Sequence, residues 1–222
     1  EVMSWKVAAK QDSEHYRELL GHNNLIMKYA DEPGANFVAM SRALLDEYLR
    51  YDFMIGTAGH EQVFNKAGYL YRYIAFAGFP EDGHQAERFN KIGTEGYTAF
   101  YAGQHNGVEN PQYVRRQHGM LSYLTNCSMI DNYAFGFSTW NDLSKGLYKP
   151  MNLAYPTSDG LVDTLAWEGF REGIDDMRFA TRLMQLADSA ATSTNLKLKI
   201  AGLKVKQYFA LIDPETVDLN SL

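Results

Sequence analysis

The stretch that decides the fold is Leu25-Ile26-Met27-Lys28-Tyr29-Ala30, followed at once by Asp31-Glu32-Pro33-Gly34. The first run is short and mostly apolar, which is typical of a buried strand, and the Pro-Gly pair ends it abruptly. A helix is predicted next, from about Asn36 to Tyr51. Its buried stripe follows i, i+3, i+4 spacing and consists of Phe37, Met40, Leu44, Leu45 and Leu49. The pattern is therefore a strand, an acidic turn and a helix.

The same alternation continues along the chain. Four more apolar runs predict strands at 53–57, 69–76, 97–101 and 130–137. Helices are predicted at 12–20, 84–92, 110–126, 164–190 and 196–212, and a long loop at 143–160. The apolar stripe of the helix at 164–190 is predicted to include Leu165, Phe170, Ile174, Phe179 and Leu183. Strands separated by helical crossovers form a parallel sheet, so the fold class is α/β.

Five strands do not close an eight-stranded barrel. The helix at 12–20 has the pattern of the end of a preceding β/α unit, so we expect the C-terminal part of a (β/α)8 TIM barrel, about strands 4 to 8, plus closing helices. Residues 1–190 would form this half barrel and 191–222 a C-terminal helical extension, with the N-terminal half of the barrel supplied by the rest of the chain. The alternative is a complete, open five-stranded α/β sheet. No Gly-rich phosphate loop supports a nucleotide-binding version of that sheet.

Composition and charge exclude several classes of function. The 222 residues carry 21 basic and 27 acidic side chains, with a net charge of −6, so a nucleic-acid partner is not expected. No apolar run is long enough for a membrane span. Cys127 is the only cysteine, and the histidines form no spaced pair, so neither a metal site nor a cofactor is expected. Aromatic residues reach 14%, which suits either sugar stacking or a Tyr-rich core.

Asp31 and Glu32 are the candidate catalytic residues, because chemistry in parallel sheets lies at the C-terminal strand ends. Adjacent carboxylates raise the pKa of one of them, as a general acid requires. An acidic helix N-terminus is the structural alternative. If 97–101 is the seventh barrel strand, its end at Gln104 lacks the usual nucleophilic carboxylate, and Glu95 lies at the wrong end. Substrate-assisted hydrolysis needs no such nucleophile, because the 2-acetamido group of the sugar attacks the anomeric carbon.

Four segments carry a resemblance to a known family. Tyr29-Ala30-Asp31-Glu32-Pro33 resembles the fourth-strand motif of glycoside hydrolase family 123 and of a closely related uncharacterised barrel family. Similar to the same group are Arg115-Arg116-Gln117-His118-Gly119, Trp140-Asn141-Asp142 and the segment from Thr164 to Asp176. The resemblance implies a β-N-acetylgalactosaminidase in which Asp31 orients the acetamido group and Glu32 is the general acid/base. It also favours a secreted or periplasmic location.

Further residues at the strand ends are predicted to line a substrate pocket. They are Tyr101, Gln104, His105, Asn106, Tyr133, Trp140 and Asn141. Trp140 either stacks on a sugar or plugs the barrel mouth, and tyrosines on strands are often core residues. Two charged groups are expected to be structural. In the helix at 164–190, Arg171 is predicted to pair with Asp175. The lysines of the last helix are predicted to form a solvated face, and they are Lys197, Lys199, Lys204 and Lys206.

The sequence thus predicts a glycoside hydrolase that cleaves a β-linked N-acetylhexosaminide in an oligosaccharide or glycoconjugate, with retention through substrate assistance. One alternative is a glycosidase on non-acetamido glycans, with Glu32 as acid and Glu81 or Asp82 as its partner carboxylate. Another is a catalytically silent carbohydrate-binding barrel. Activity that requires the acetamido group distinguishes the first from the second, and sugar binding without turnover identifies the third.

Overall fold

The computed structural model of the protein describes residues 2–59, 63, 73–76, 97–102, 107–136 and 151–212. The chain divides into two compact units. The first comprises Glu1–Tyr101 and Asn126–Asp131, and the second Ala102–Thr125 and Asn132–Leu222. Each unit has its own packing and is described in turn.

The first unit is built on a parallel sheet. Helix α1 (Val2–Leu20) precedes strand β1 (Ile26–Asp31), helix α2 (Ala35–Arg50) and strand β2 (Met54–Ala58). Strands β3 (Tyr73–Phe76), β4 (Tyr97–Ala102) and β5 (Met129–Tyr133) continue the sheet, and the last residue of β4 and the last two of β5 are assigned to the second unit. The strands lie side by side in chain order, and β1 to β4 pair in parallel. The result is a mixed α/β fold with a curled, half-barrel sheet of five strands, as the strand-helix alternation predicts.

The core of this sheet forms where α2 covers it. Leu45, Ile55 and Ile74 are fully buried and pack together with Val63. Leu44 and Leu45 confirm the predicted stripe of α2, but Phe37 is 42% exposed, so its predicted burial is wrong. Phe37 lies in the first turn of α2, ahead of the residues that reach the core cluster. The side chain of Met40 lies outside the described residues.

The second unit contains a hairpin where a loop was predicted. Strand β6 (Ala154–Thr157) pairs antiparallel with β7 (Gly160–Asp163). The turn places Thr157 opposite Gly160, which has a φ of +143° that favours glycine. The sequence signal is Asp159-Gly160 between short β-type runs, which is typical of a tight hairpin turn. Strand β5 also ends at Tyr133, before the predicted end at 137.

A bent helical segment precedes the hairpin. Helix α3 (Pro111–Arg115) runs into a π-helical segment (Arg116–Leu121) and a short α4 (Ser122–Leu124). Gly119 interrupts the helical geometry with φ −101° and ψ −105°. The single regular helix predicted at 110–126 is therefore wrong in its interior, although its position and its start at Asn110-Pro111 are confirmed. Asn110 caps α3 by accepting a hydrogen bond from the Tyr113 N–H at 3.2 Å.

Two long helices follow, α5 (Leu165–Ala191) and α6 (Leu196–Leu211). Thr164 caps α5 by accepting the Trp167 N–H. The buried face of α5 differs from the predicted stripe, because it consists of Ala166, Gly169, Gly173, Ala180 and Ala187. Three of the predicted residues are exposed instead, namely Leu165, Phe179 and Leu183. Phe170 of that stripe packs, together with Trp167, on a buried cluster of Val114, Leu153 and Ala166.

Small residues form this face of α5 because the backbone of the preceding bent segment lies too close for a larger side chain. A Cβ on Gly169 would lie 2.1 Å from the Pro111 carbonyl oxygen, and one on Gly173 would lie 2.9 Å from the Arg115 oxygen. On the other side, a Cβ on Gly119 would meet the Gly173 Cα at 2.8 Å. The backbones of α5 and of the bent segment therefore touch directly. A large side chain at these positions would force them apart.

Candidate active site

The acidic pair lies where β1 ends. Asp31 is the last residue of the strand, and the Glu32 N–H still donates to the Ala58 oxygen of β2 at 2.9 Å. Glu32 then takes a φ of +44°, in the left-handed region that most side chains avoid. Pro33 favours an extended conformation before it, so the left-handed turn is a departure from that preference. Both carboxylates can face one pocket only if the strand breaks between them. The structure shows that break, because β1 ends at Asp31 and Glu32 is left-handed.

Tyr101 brings a second strand to this position. Its hydroxyl donates to Glu32 Oε1 at 2.6 Å, from near the C-terminal end of β4. β2 and β3 lie between the two strands, so in a flat sheet the backbones would be roughly 14 Å apart, with side chains perpendicular to the sheet. The curl of the sheet turns both side chains toward one another. The hydrogen bond therefore fixes the orientation of the Glu32 carboxyl group across the sheet.

Asp31 has a different neighbour. Its Oδ1 lies 2.8 Å from Lys28 Nζ, and both side chains are more than half exposed. Residues three apart on a regular strand point to opposite faces, but the β1–β2 register shifts between Lys28 and Ala30. That bulge adds one residue to β1, which lets the two side chains meet. An exposed ion pair of this kind contributes about 0–1 kcal/mol, so Asp31 can exchange Lys28 for another partner at little cost.

Thr57 supports the site from below. It is 1% exposed on β2, and its hydroxyl lies 2.9 Å from the Ala30 oxygen and 2.9 Å from the Ala58 oxygen. The Thr57 hydroxyl can donate its proton to either carbonyl oxygen. One of these oxygens belongs to Ala30, the residue before Asp31. Thr57 is the last residue of the strand predicted at 53–57 and is not among the predicted site residues. Its position indicates that it ties the ends of β1 and β2 together.

The other predicted pocket residues divide into two groups. Tyr133 is the last residue of β5, belongs to the second unit and is 49% exposed. Five others lie outside the described residues, as do Glu81 and Asp82 of the alternative mechanism; the five are Gln104, His105, Asn106, Trp140 and Asn141. Of the nine predicted site residues, Asp31, Glu32 and Tyr101 are thus the ones that the described structure places at one strand-end site.

Two of the family-like segments pack against each other in the second unit. Arg115 donates to Asp176 through Nε at 2.5 Å and through an Nη at 2.7 Å, and both side chains are largely buried. The hydrogen bonds that Arg115 donates to Asp176 raise the pKa of Arg115 above its usual value, despite the opposing effect of burial. Together with the Gly119–Gly173 contact, this pair gives both segments an architectural role.

The predicted pair of Arg171 with Asp175 is wrong. Arg171 instead contacts Glu168 at 2.7 Å, and Asp175 contacts Arg178 at 3.0 Å. Both are i,i+3 contacts on the exposed side of α5, where positions three and four apart are equally within reach. Among the charged residues near Arg171 on α5, Asp176 has the structural role, because it contacts Arg115 of α3.

Two cavities lie elsewhere on the described surface. One of about 480 Å³ is bordered by residues that precede β1 and β2, at the N-terminal edge of the sheet, including Arg17, Asn23 and Asp52. In barrel enzymes, residues at that edge contribute to stability, whereas catalytic residues lie at the opposite edge. The other, of about 460 Å³, belongs to the second unit and is lined by Phe179, Leu183 and other residues of α5 and α6. Neither is lined by a predicted site residue.

Within the described ranges, no three His, Cys, Asp or Glu side chains are grouped so as to hold a metal ion. In the same ranges, no helix is both long and apolar enough to cross a membrane. No protein-family model matches the chain, and no curated protein is significantly similar to it in sequence. The resemblance carried by the four motifs therefore stays a prediction.

Proposed function

We propose that the protein is the C-terminal part of a (β/α)8-barrel glycoside hydrolase that cleaves a β-linked N-acetylhexosaminide, of the N-acetylgalactosamine type, by substrate-assisted retaining catalysis. The observation that carries the proposal is the hydrogen bond from Tyr101 to Glu32, beside Asp31, at the C-terminal edge of a curled parallel sheet. That edge is where barrel enzymes place their chemistry.

Each carboxyl group has one task in this mechanism. The acetamido oxygen of the substrate attacks C1 while protonated Glu32 gives its proton to the leaving oxygen, and the C1–O bond breaks. Asp31 accepts the acetamido N–H, orients the group and stabilises the positive charge of the oxazolinium ring. Glu32 then removes a proton from water as the water attacks C1, and the C1–O bond of the oxazolinium ring breaks, which restores the acetamido group. Two displacements at the same carbon retain its configuration.

Tyr101 is a positioning residue in this scheme. By donating to one oxygen of Glu32, it restricts rotation of the carboxyl group and directs it toward the sugar. Positioning of this kind is effective because misplacement by about 1 Å can cost a factor on the order of 100 in rate. Asp31 must leave Lys28 to reach the substrate, and the exposure of that ion pair makes the exchange inexpensive.

The barrel part of the proposal rests on the sheet. Five strands in chain order, with parallel pairing and curl, are compatible with the fourth to eighth strands of a barrel. Three preceding β/α units would pair with β1 and close it. Without them, the free edge of β1 would offer unpaired backbone groups to other strands.

The test is hydrolysis by the parent-length protein of aryl β-N-acetylgalactosaminide and β-N-acetylglucosaminide, beside the same glycosides without the acetamido group. We expect turnover of the acetamido substrates alone. Glu32→Gln should lower kcat by about 100-fold or more, and less for a nitrophenyl leaving group, which needs little protonation. Asp31→Asn should slow all acetamido substrates. Turnover of the plain glycosides, or full activity in Glu32→Gln, would refute the scheme.

Tyr101→Phe tests the positioning role. We expect kcat to fall about tenfold with a displaced pH profile and little change in KM, because the variant loses the hydrogen bond that positions the Glu32 carboxyl group. The matched control is Tyr97→Phe, which removes a hydroxyl from the exposed start of the same strand and should leave both constants unchanged. Equal effects of the two substitutions would indicate a general disturbance of β4.

A catalytically silent carbohydrate-binding barrel is the second candidate. The observation behind it is that Asp31 already has Lys28 as a partner, although this exposed ion pair contributes only about 0–1 kcal/mol. This candidate predicts that N-acetylated sugars bind, as measured by calorimetry, and that no product forms during prolonged incubation. It also predicts that Lys28→Met leaves turnover absent.

A further inference from the structure

The outward side of α6 has a pattern that its packing does not explain. The helix meets α5 through Gly202, where a Cβ would lie 2.5 Å from the Ala187 oxygen. Gly202 is its only buried residue, and Val205 and Phe209, on the same side, are half-buried. A helix turns by about 100° per residue, so the opposite side of α6 points away from α5.

That opposite side carries an apolar seam. It is formed by Leu196, Ile200, Leu203, Gln207 and Ala210, which we call the outer seam. The spacing is four, three, four and three residues, as in the d and a positions of a coiled coil. Leu196 is 68% exposed, Ile200 46% and Leu203 50%. Three large aliphatic side chains in coiled-coil register are therefore open to solvent.

Lysines border the outer seam on both sides. Lys197 and Lys204 take the e positions of this heptad, and Lys199 and Lys206 the g positions. All four are exposed. Lys206 contacts Asp188 of α5 at 2.7 Å, whereas no carboxylate among the described residues pairs with the other three. The seam is thus flanked by one sign of charge, on a protein whose net charge is −6.

We propose that the outer seam docks an amphipathic helix of another polypeptide whose own apolar seam is flanked by Asp and Glu. Flanking charges in coiled coils select the partner, and lysine at e and g favours carboxylates opposite. The same charges disfavour a second copy of this chain, because lysines would face lysines in either orientation.

Two further features favour a helix over an anionic membrane surface. The outer seam contains neither Trp nor Phe, which helices that lie on membranes carry on a broad apolar face; three further exposed apolar residues of α6, Leu198, Tyr208 and Leu211, lie off the seam. Gln207 lies on the seam, where its amide would lose hydrogen bonds in lipid. In a coiled coil, one polar side chain at an a position sets the register instead.

The probe is a synthetic peptide of three heptads that repeats the α6 pattern with glutamate at the four lysine positions. Its binding to the full chain is measured by fluorescence anisotropy, beside the same peptide with lysine retained. We expect the glutamate peptide to bind at least about tenfold more tightly, with a preference that weakens as salt is raised. Leu203→Gln should weaken binding about tenfold or more.

Leu161→Gln is the matched control, because Leu161 is 59% exposed on the hairpin and lies off the seam. It should leave the affinity unchanged. Both substitutions remove an exposed leucine, so both variants should keep the melting curve of the parent protein. Equal affinity for the two peptides would overturn the proposal. So would self-association abolished by Leu203→Gln, or binding to phosphatidylserine-containing vesicles in place of the peptide.

Discussion

Gly169→Ala should destabilise the second unit, against the intrinsic preference of helices for alanine. The added Cβ would lie 2.1 Å from the Pro111 oxygen and 2.7 Å from two further backbone atoms of that residue. Backbone atoms cannot rotate away, so α5 and α3 must separate by about 1 Å to restore ordinary contact. Overpacking of this kind costs about 1–3 kcal/mol or more. Alanine in place of glycine within a helix returns about 0.5–1 kcal/mol, which leaves a net loss of up to about 2.5 kcal/mol.

The assay is thermal and urea unfolding followed by circular dichroism. Gly136→Ala is the control in the same unit, since the nearest atom to its Cβ is the Ala154 oxygen at an unstrained 3.8 Å. It should change the free energy of unfolding by less than about 1 kcal/mol. A Gly169→Ala protein that is more stable than the parent would refute the direct backbone contact, because the helix preference would then act unopposed.

Three further predictions concern the same unit. Asp176→Asn should cost about 1–3 kcal/mol of unfolding free energy, since it leaves Arg115 largely buried without its carboxylate, whereas Asp175→Asn should cost less than about 0.5 kcal/mol; urea titrations of both distinguish the cases. Thr164→Ala should lower stability by about 1 kcal/mol through loss of the α5 cap, and normal stability would contradict that role. Burial raises the pKa of the Tyr113 hydroxyl, so the neutral form is favoured in the folded state. Stability should therefore fall as pH rises through about 10 and beyond, and Tyr113→Phe should lessen that fall in alkaline melts.

Local sequence was sufficient for three strands and for helix α2 of the first unit, whereas the helix predicted at 12–20 begins ten residues earlier, at Val2. Short apolar runs gave β1, β2 and β4 to within a residue or two at each end, because a buried parallel strand needs only a continuous apolar stretch and a turn after it. In the second unit, the starts of α3 and α5 were also readable from local sequence, because Asn110 and Thr164 precede them as capping residues. The hairpin turn between Thr157 and Gly160 is equally local in sequence, but the prediction of a loop at 143–160 missed it.

The buried face of α5 was not predictable in the same way. Periodicity selects large apolar residues, and it selected Phe179 and Leu183, which are exposed. The actual face is made of Gly169, Gly173 and alanines, because the bent segment approaches α5 at backbone distance. A pattern of small residues has no meaning until the partner that fills the space is known.

For the candidate site, the sequence by itself determined the positions of Asp31 and Glu32 at a strand end, because a Pro-Gly turn must stop the strand there. Only the tertiary structure decided their partners. Tyr101 is 69 residues from Glu32 along the chain, and the curl of the sheet alone brings its hydroxyl to the carboxyl group. Lys28 reaches Asp31 through a bulge set by pairing with β2. Sequence fixes which groups a strand end presents, and the pairing and curvature of the sheet fix which of those groups meet.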